Sequence, residues 1–230
     1  MHPFIPALAA IVTIAAPAAA QLQAYAQNAE RKATRIAYFD MAAQSSPGQF
    51  VIQYGAPQWK DEYEDQVDQL KGMRFRLGSD FWATLDTSMD LTIAGTKVPA
   101  GYYYLGMART EDGDYRLVLH DANKLRPMRT DAFITSRLSG GIEVPMTHAK
   151  ADSAAERLKI ELSEERGQLG KASLLIQWGP HKLTAPIVAD LSGGKPADAS
   201  ASGKPGEKSE KGGADQADPN KRDAGKDGRR

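Results

Sequence analysis

The chain contains no cysteine among its 230 residues. This absence excludes disulfide bonds, thiolate catalysis, and zinc or iron–sulfur sites with cysteine ligands. The chain also has no excess of either charge, because 29 basic residues balance 29 acidic residues. Nucleic-acid-binding domains need a concentrated basic surface, so the composition gives no reason to expect a nucleic-acid partner.

The motifs of common cofactor and hydrolase sites are also missing. The sequence has no P-loop, no dinucleotide-binding glycine pattern, and no Gly-x-Ser-x-Gly in the region expected to fold. His120, His148 and His181 form no HxH or HExxH arrangement. We therefore expect no cofactor and no metal site.

The first 26 residues are typical of a cleaved signal peptide. An apolar run from Phe4 to Ala16 precedes small residues that place cleavage after Ala20 or Ala26. The alternative is a membrane anchor, but the run is shorter than the roughly 20 apolar residues of a spanning helix. This leader predicts export to the periplasm or the extracellular space, with no membrane span after cleavage.

The other end of the chain lacks core-forming residues. Residues 192–230 contain no valine, isoleucine, leucine, methionine or aromatic residue. Such a segment cannot bury enough apolar surface to offset the entropy cost of ordering it. We predict a disordered tail at 192–230, a β-sandwich domain at 49–191 and a separate N-terminal segment at 27–48.

The region between the two ends has the pattern of short strands joined by tight turns. Phe81, Ala83 and Leu85 show the period of two that a half-buried strand requires. Ala94-Gly95 is typical of a two-residue hairpin loop, because glycine accepts positive φ at little cost. Turn signals recur at intervals of roughly ten residues, which predicts an all-β fold with a single antiparallel sandwich or barrel-like domain.

Two further segments carry local predictions. Residues 59–71 hold five acidic side chains, but a calcium loop needs a glycine at its sharp turn and none occurs before Gly72. We expect a solvated acidic loop or a short helix there. The Gly-Pro-His sequence at 179–181 is interpreted as a turn between two strands.

Arg76 and Asp80 are the most informative polar pair. A charge within a strand that faces other elements must be paired, because an isolated buried ion is very costly. The pair is interpreted as a buried clamp that holds a turn, with ligand binding by Arg76 as the alternative.

Aromatic residues near this pair extend the candidate ligand-binding set. Trp82, Tyr102 and Tyr104 are expected on an exposed sheet face, where they would stack on sugars or form cross-strand pairs. The complete set of candidates is Arg76, Asp80, Trp82, Tyr103 and His120.

The stretch from Arg74 to Arg109 also carries a family resemblance. Its order Phe75-Arg76-x-Gly78-Ser79-Asp80, followed later by Val98-Pro99-Ala100-Gly101-x-Tyr103, resembles domain of unknown function family 2911. Phe75 stands where that family usually has tryptophan. The resemblance extends from about Gln49 to Ile187. It implies a fold and a compartment, and it carries over no catalytic residue because the family is uncharacterised.

Three classes of function are consistent with these features. The first is a non-catalytic module of the cell envelope that binds a ligand or a partner, and this is the expected class. The second is a hydrolase with a carboxylate or histidine site near Arg76, Asp80 and His120. It would need a concave pocket with two or more titratable groups within hydrogen-bonding reach. The third is a structural protein with a flat apolar patch.

Overall fold

The structure is a computed structural model that describes residues 30–129 and 131–192. The predicted signal peptide lies outside the described residues, as does all of the predicted tail beyond Ser192. The described residues belong to one compact unit.

Ten strands run through the described residues, and every pairing between them is antiparallel. Their order in space is β1-β2-β4-β7-β8-β9-β10-β5-β6, with β3 paired to β7. The strands are β1 (Arg31–Asp40), β2 (Ser45–Gly55), β3 (Arg74–Arg76), β4 (Ser79–Thr87), β5 (Leu91–Ile93), β6 (Thr96–Val98), β7 (Gly101–Arg109), β8 (Tyr115–Asp121), β9 (Ile142–Glu164) and β10 (Lys171–Ala189).

The long strand β9 passes from one layer of the fold to the other. Its first part, from Ile142 to Met146, pairs with β8, and its remainder, from Thr147 onward, pairs with β10. The first layer therefore contains β1, β2, β4, β7, β8 and β3, and the second contains β10, β5 and β6. The two layers pack face to face as a β-sandwich.

The core between the layers follows from the alternation of side chains along each strand. Phe50 and Leu105 of the first layer are buried in the same cluster as Ile160, Leu174 and Ile187 of the second. In a strand, alternate residues point to opposite faces, so one apolar set per strand is enough to fill this core.

Short helices cover part of the outer face of the first layer. They are α1 (Ala122–Leu125) and the 3₁₀ helices Arg126–Met128 and Ala132–Arg137. Beneath them, Trp82 and Tyr104 form a second buried cluster with three residues of the helical segment, namely Ala122, Leu125 and Ala132.

Several sequence predictions are confirmed by this architecture. The all-β antiparallel fold is present as a sandwich, and Ala94-Gly95 forms the hairpin loop between β5 and β6. Both loop residues have positive φ, 46° and 80°, which is the backbone of a type I′ turn. The acidic segment forms a 3₁₀ helix from Asp61 to Leu70, as the short-helix alternative predicts.

Two predicted boundaries are wrong. The sandwich begins at β1, because Arg31–Asp40 pairs with β2 along most of its length, so a domain start at residue 49 is too late. Gly179-Pro180-His181 is not a turn between strands. It is an irregularity inside the continuous strand β10, where the register with β9 shifts on either side of Gly179. A local bulge and a turn both favour glycine, so the sequence alone does not separate them.

Candidate functional site

A largely apolar cavity of about 150 Å³ lies between the sandwich and the 3₁₀ helix Asp61–Leu70, called the covering helix below. We call this space the aromatic cavity. Strands β3, β7, β8, β9 and β10 supply its walls, and Val67 and Leu70 supply its cover. The lining residues are Pro57, Trp59, Val67, Leu70, Phe75, Arg76, Leu77, Gly78, Met107, Tyr115, Leu158, Ile176, Trp178, His181 and Leu183.

Trp59 is held in the cavity wall by contacts on several sides. Its backbone N–H donates to the carbonyl of Glu156 at 2.7 Å. Its ring meets the edge of Trp178, with centroids 5.0 Å apart and planes at 89°, a preferred aromatic geometry. Gly179 has φ of 57°, and a Cβ atom at this position would overlap the Trp59 ring. Glycine at 179 therefore serves both the backbone conformation and the close approach of Trp59.

Three side chains from distant parts of the sequence form a hydrogen-bonded series beside the cavity. His181 Nε2 lies 3.0 Å from Glu64 Oε2, and His181 Nδ1 lies 3.1 Å from His148 Nε2. Lys150 also donates to Glu64 Oε1. We call Glu64, His181 and His148 the histidine chain. It links the covering helix to the paired strands β9 and β10.

The carboxylate of Glu64 determines which ring nitrogens of the histidine chain carry a proton. An ionised carboxylate only accepts hydrogen bonds, so His181 Nε2 carries the proton that is donated to Glu64. Neutral His181 then accepts at Nδ1, and His148 donates from Nε2. Lys150 Nζ lies 3.5 Å from His181 Nε2, but it is closer to Glu64, which accepts from both groups.

The charges of the chain follow from these contacts. The hydrogen bond from Lys150 lowers the pKa of Glu64, with a further contribution from His181. Burial lowers the pKa of His181, although the hydrogen bond to Glu64 opposes it. Burial also lowers the pKa of His148, and His181 adds to the effect. Near neutral pH the site therefore holds an ionised carboxylate and two neutral imidazoles.

These contacts leave the interior of the cavity without an exposed charge. Both nitrogens of His181 are used by Glu64 and His148, which do not line the cavity. The indole N–H of Trp178 donates to the carbonyl of Pro57 at 3.2 Å. The guanidinium of Arg76 lies over the ring of Phe133, 4.5 Å from its centroid, and Phe133 is not a lining residue.

Arg109 attaches the covering helix to the sandwich at a second point. Its Nη1 donates to the carbonyl of Val67 at 2.6 Å and to Asp68 Oδ1 at 3.2 Å. The side chain of Arg109 is 11% exposed but that of Asp68 is 80% exposed, so the bond to the Val67 carbonyl is the better shielded of the two contacts. The covering helix contains no fully buried residue of its own. Its position thus depends on Glu64, Arg109 and the residues over the cavity.

Arg76 and Asp80, the polar pair singled out in the sequence, do not form a buried ion pair in the structure. Arg76 is half-buried at the end of β3, against Phe133, whereas Asp80 is exposed at the start of β4. Asp80 has φ of 66° and accepts from the Ser79 hydroxyl at 3.1 Å. The interpretation as a buried clamp is wrong in one respect, because an exposed carboxylate does not carry the cost of a buried charge.

The three aromatic residues that were expected on an exposed sheet face, Trp82, Tyr102 and Tyr104, are largely buried. Trp82 is fully buried, and its ring stacks on Tyr104 with centroids 5.1 Å apart. Tyr104 is also buried, while Tyr102 is half-buried under the guanidinium of Arg126. The exposed-face prediction is therefore wrong for Trp82 and Tyr104, because the short helices after β8 cover that face of the sheet.

Tyr103 and His120 meet at a second hollow, away from the aromatic cavity. Tyr103 donates from its hydroxyl to the carbonyl of Pro99 at 2.8 Å. His120 is 4% exposed, and its Nε2 has no hydrogen-bond partner among the described residues. Burial lowers the pKa of His120, with a further contribution from Arg74. The structure thus brings these two candidates together, but not with Arg76.

The sequence predictions missed the residues that define the aromatic cavity. Glu64 lies in the segment predicted to be a solvated acidic loop or short helix, and His148 and His181 were treated as unrelated histidines. The signal that connects them is strand register: His181 pairs with Lys150 and Leu183 with His148 across the β9–β10 hairpin. Neighbouring positions on paired strands lie within side-chain reach.

Searches of the described part of the chain give two negative findings. No group of three histidine, aspartate or glutamate side chains within 30–129 and 131–192 is arranged to hold a metal ion. In the same residues, no helix has the length and apolar character needed to cross a membrane.

Comparison with known families matches residues 39–187 to the family described as Protein of unknown function (DUF2911). The chain belongs to this family. The DUF2911 match begins about ten residues before the resemblance read from the sequence, and it ends at the same residue. It includes β2 to β9 and most of β10, and so every strand that lines the aromatic cavity.

Two further comparisons, with curated proteins and with solved structures, found no similar protein. No curated protein matches this chain. No solved structure matches it.

Proposed function

We propose that this DUF2911 protein is an exported, non-catalytic module of the cell envelope that binds a small apolar ligand group in the aromatic cavity. The observation that carries the proposal is the cavity itself, with its apolar lining and about 150 Å³ of space. Enclosed apolar cavities of this size accept molecules such as benzene or xenon; this one is apolar and partly open to solvent. The atoms that line such a cavity have no van der Waals contacts on the side of the empty space, so a ligand group that fills it gains dispersion energy.

The polar groups around the cavity support binding rather than catalysis. The histidine chain directs its nitrogens to Glu64 and to each other, and the cavity receives only the ring of His181. Such an arrangement fixes the wall and the cover in place. A preformed pocket binds more tightly because less ordering is needed on association.

The hydrolase alternative near Arg76, Asp80 and His120 receives no support from the geometry. The guanidinium of Arg76 lies on Phe133, and Nε2 of His120 is buried. A catalytic acid or base must lie within hydrogen-bonding reach of the proton that it transfers, and these groups do not meet at one pocket. We therefore propose binding alone.

Ligand titration tests the binding part of the proposal. Benzene added to the mature protein should change the fluorescence of Trp59 and Trp178, while the fully buried Trp82 supplies a constant background. Val67→Phe should abolish the response, because the larger side chain enters the cavity from the covering helix. Val188→Phe is the matched control, since Val188 is half exposed and does not line the cavity.

The result of the titration shows whether benzene binds in the aromatic cavity, binds elsewhere or does not bind. A saturable response in the parent and in Val188→Phe, but not in Val67→Phe, supports the proposal. A response of equal size in all three proteins would show that benzene binds elsewhere, and the absence of any response would also reject the cavity as a ligand site.

Export rests on the sequence of the leader and has its own test. Cleavage after Ala20 or Ala26 predicts a mature chain that begins at Gln21 or Gln27. Mass spectrometry of protein from native cells measures this terminus directly. Recovery of the chain with an intact Met1 or His2 would contradict export by cleavage.

A further inference from the structure

Tyr115 is the residue of the aromatic cavity that carries an unused hydrogen-bonding group. It is the first residue of β8, it is 6% exposed, and it lines the cavity. Its ring is fixed between two neighbours. The ring of His148 lies 5.0 Å away, and the guanidinium of Arg109 lies 5.1 Å from the ring centroid.

The hydroxyl of Tyr115 has no hydrogen-bond partner among the residues that the structure describes. Other buried tyrosines have one: Tyr54 accepts from the Ile160 N–H at 2.9 Å, and Tyr103 donates to Pro99. The Tyr115 hydroxyl is not among the fully buried side-chain atoms that lack a partner, so it remains reachable by a ligand oxygen or by water. Tyr38 differs from Tyr115, because its hydroxyl is fully buried without a partner among the described residues and it does not line this cavity.

The surroundings keep the Tyr115 hydroxyl protonated. Burial raises the pKa of Tyr115, and although the nearby Arg109 lowers it, Asp68 and Glu64 add to the increase. A protonated phenol both donates and accepts hydrogen bonds. It therefore offers a ligand one neutral polar contact in a wall that is otherwise apolar.

The same surroundings argue against a charged ligand group. No described lining residue directs a charge into the cavity, because the guanidinium of Arg76 lies on Phe133 and both nitrogens of His181 are occupied. An ion without a partner in an apolar site is strongly disfavoured. A hydroxyl or carbonyl oxygen with one partner is tolerated.

We propose that the ligand group bound in the aromatic cavity is a small, uncharged ring or branched alkyl group that carries one hydroxyl or carbonyl oxygen, which hydrogen-bonds to the Tyr115 hydroxyl. This inference rests on the proposed function, since it names the class of ligand for the same cavity. Tyr115 is then the residue that selects an oxygenated group over a pure hydrocarbon. A site built to bond a hydroxyl discriminates through the cost of an unpaired polar group.

Benzene and phenol are the matched test ligands, because they differ by one hydroxyl. In the parent protein, phenol should bind at least as tightly as benzene. In Tyr115→Phe, phenol should lose about tenfold or more in affinity while benzene is unchanged, because the phenol hydroxyl is then buried without a partner. Isothermal titration calorimetry measures both affinities. Tyr103→Phe is the control, since the Tyr103 hydroxyl bonds to Pro99 away from this cavity.

The outcomes separate this inference from the proposed function. A loss of phenol affinity in Tyr115→Phe alone supports the role of Tyr115. If both ligands bind and their affinity ratio is the same in the parent and in Tyr115→Phe, the inference is wrong and the proposed function stands. If neither ligand binds to the parent, the proposed function fails and the inference fails with it. A melting curve of each variant confirms that it is folded.

Discussion

Two regions of this molecule combine a histidine with tryptophan and tyrosine, and they differ in how the histidine is used. At the aromatic cavity, both nitrogens of His181 are bonded, to Glu64 and to His148. On the outer face of the first layer, His120 lies near Trp82, and its Nε2 is buried without a partner among the described residues. The types of residue present therefore do not distinguish a hydrogen-bonded site beside a cavity from a cluster of packed side chains.

The difference has a physical origin in what covers each region. The outer-face cluster is filled by α1 and the following 3₁₀ helices, which pack Ala122, Leu125 and Ala132 onto Trp82 and Tyr104. The covering helix has no fully buried residue. It contributes half-buried Tyr63, Val67 and Leu70 and is also attached by polar contacts. A cavity remains beneath this cover, because the Tyr63 ring packs against Trp59 and Trp178 at one side of the space and only Val67 and Leu70 of the covering helix line it.

The largest expected effect concerns the close approach of Trp59 to Gly179. Gly179→Ala should lower the free energy of unfolding by about 3 kcal/mol or more, because a left-handed alanine is strained and its Cβ displaces the half-buried ring of Trp59. Gly167→Ala is the control. Gly167 also has positive φ, 74°, but no atom lies near its Cβ position, so only the strain of about 1–2 kcal/mol is expected. Equal losses in urea denaturation would show that Trp59 is not packed as described.

An intermediate effect is expected at His120. Its folded-state pKa lies below the ordinary value of 6.5. Below pH 6.5 the unfolded chain therefore takes up a proton that folded His120 does not, and stability falls with decreasing pH by at most about 1.4 kcal/mol per unit for one such group. His120→Leu should remove the part of the acid-induced loss of stability that is due to His120, because leucine cannot be protonated and leaves no unpaired nitrogen.

Denaturation between pH 5 and pH 7 checks this expectation. The parent and His120→Leu should differ little at pH 7, and the variant should become the more stable of the two as the pH falls. His148 and His181 also have lowered pKa values, so both proteins keep some loss of stability in acid. The same pH slope in both proteins would contradict the assignment of a buried neutral imidazole at residue 120.

The smallest effect is expected at Arg76. Since Asp80 is exposed, Arg76→Ala should cost less than about 1 kcal/mol, the size of a contact between a cation and one aromatic ring. The double mutant with Phe133→Ala should show a coupling energy of similar size. A loss of 2–4 kcal/mol would instead restore the buried clamp, because that is the scale of breaking a buried ion pair.

Much of the fold could be predicted from local sequence patterns. The strand that contains Phe81–Leu85 and the Ala94-Gly95 loop depend on neighbouring residues, and the structure has both. The predicted half-buried alternation is wrong, because Phe81 is exposed and residues 82–85 are all buried. The first strand lies in the segment 27–48 that was predicted to be separate from the sandwich, and its first residues, Arg31–Thr34, have mixed polarity. It is an edge strand, and its pairing with β2 cannot be predicted from the residues of β1 alone.

The candidate site could not be predicted in the same way. Glu64 lies 84 residues before His148 and 117 before His181. Their contact depends on the register of β9 with β10 and on the position of the covering helix. Trp82 was placed on an exposed face because the sequence does not show that later helices cover it. Local patterns specify strands, whereas a site assembled across strands requires tertiary packing.

The most direct test of the aromatic cavity as a binding site is a crystal structure of the protein under xenon pressure. Xenon enters apolar cavities that are dry and large enough, and it needs no polar partner. We expect one strong xenon peak in the aromatic cavity, between Trp59, Trp178 and Leu158, and loss of that peak in Val67→Phe. Ordered water bonded to the walls in place of xenon, or side chains that close the space, would contradict the central claim that this cavity is a binding site for an apolar group.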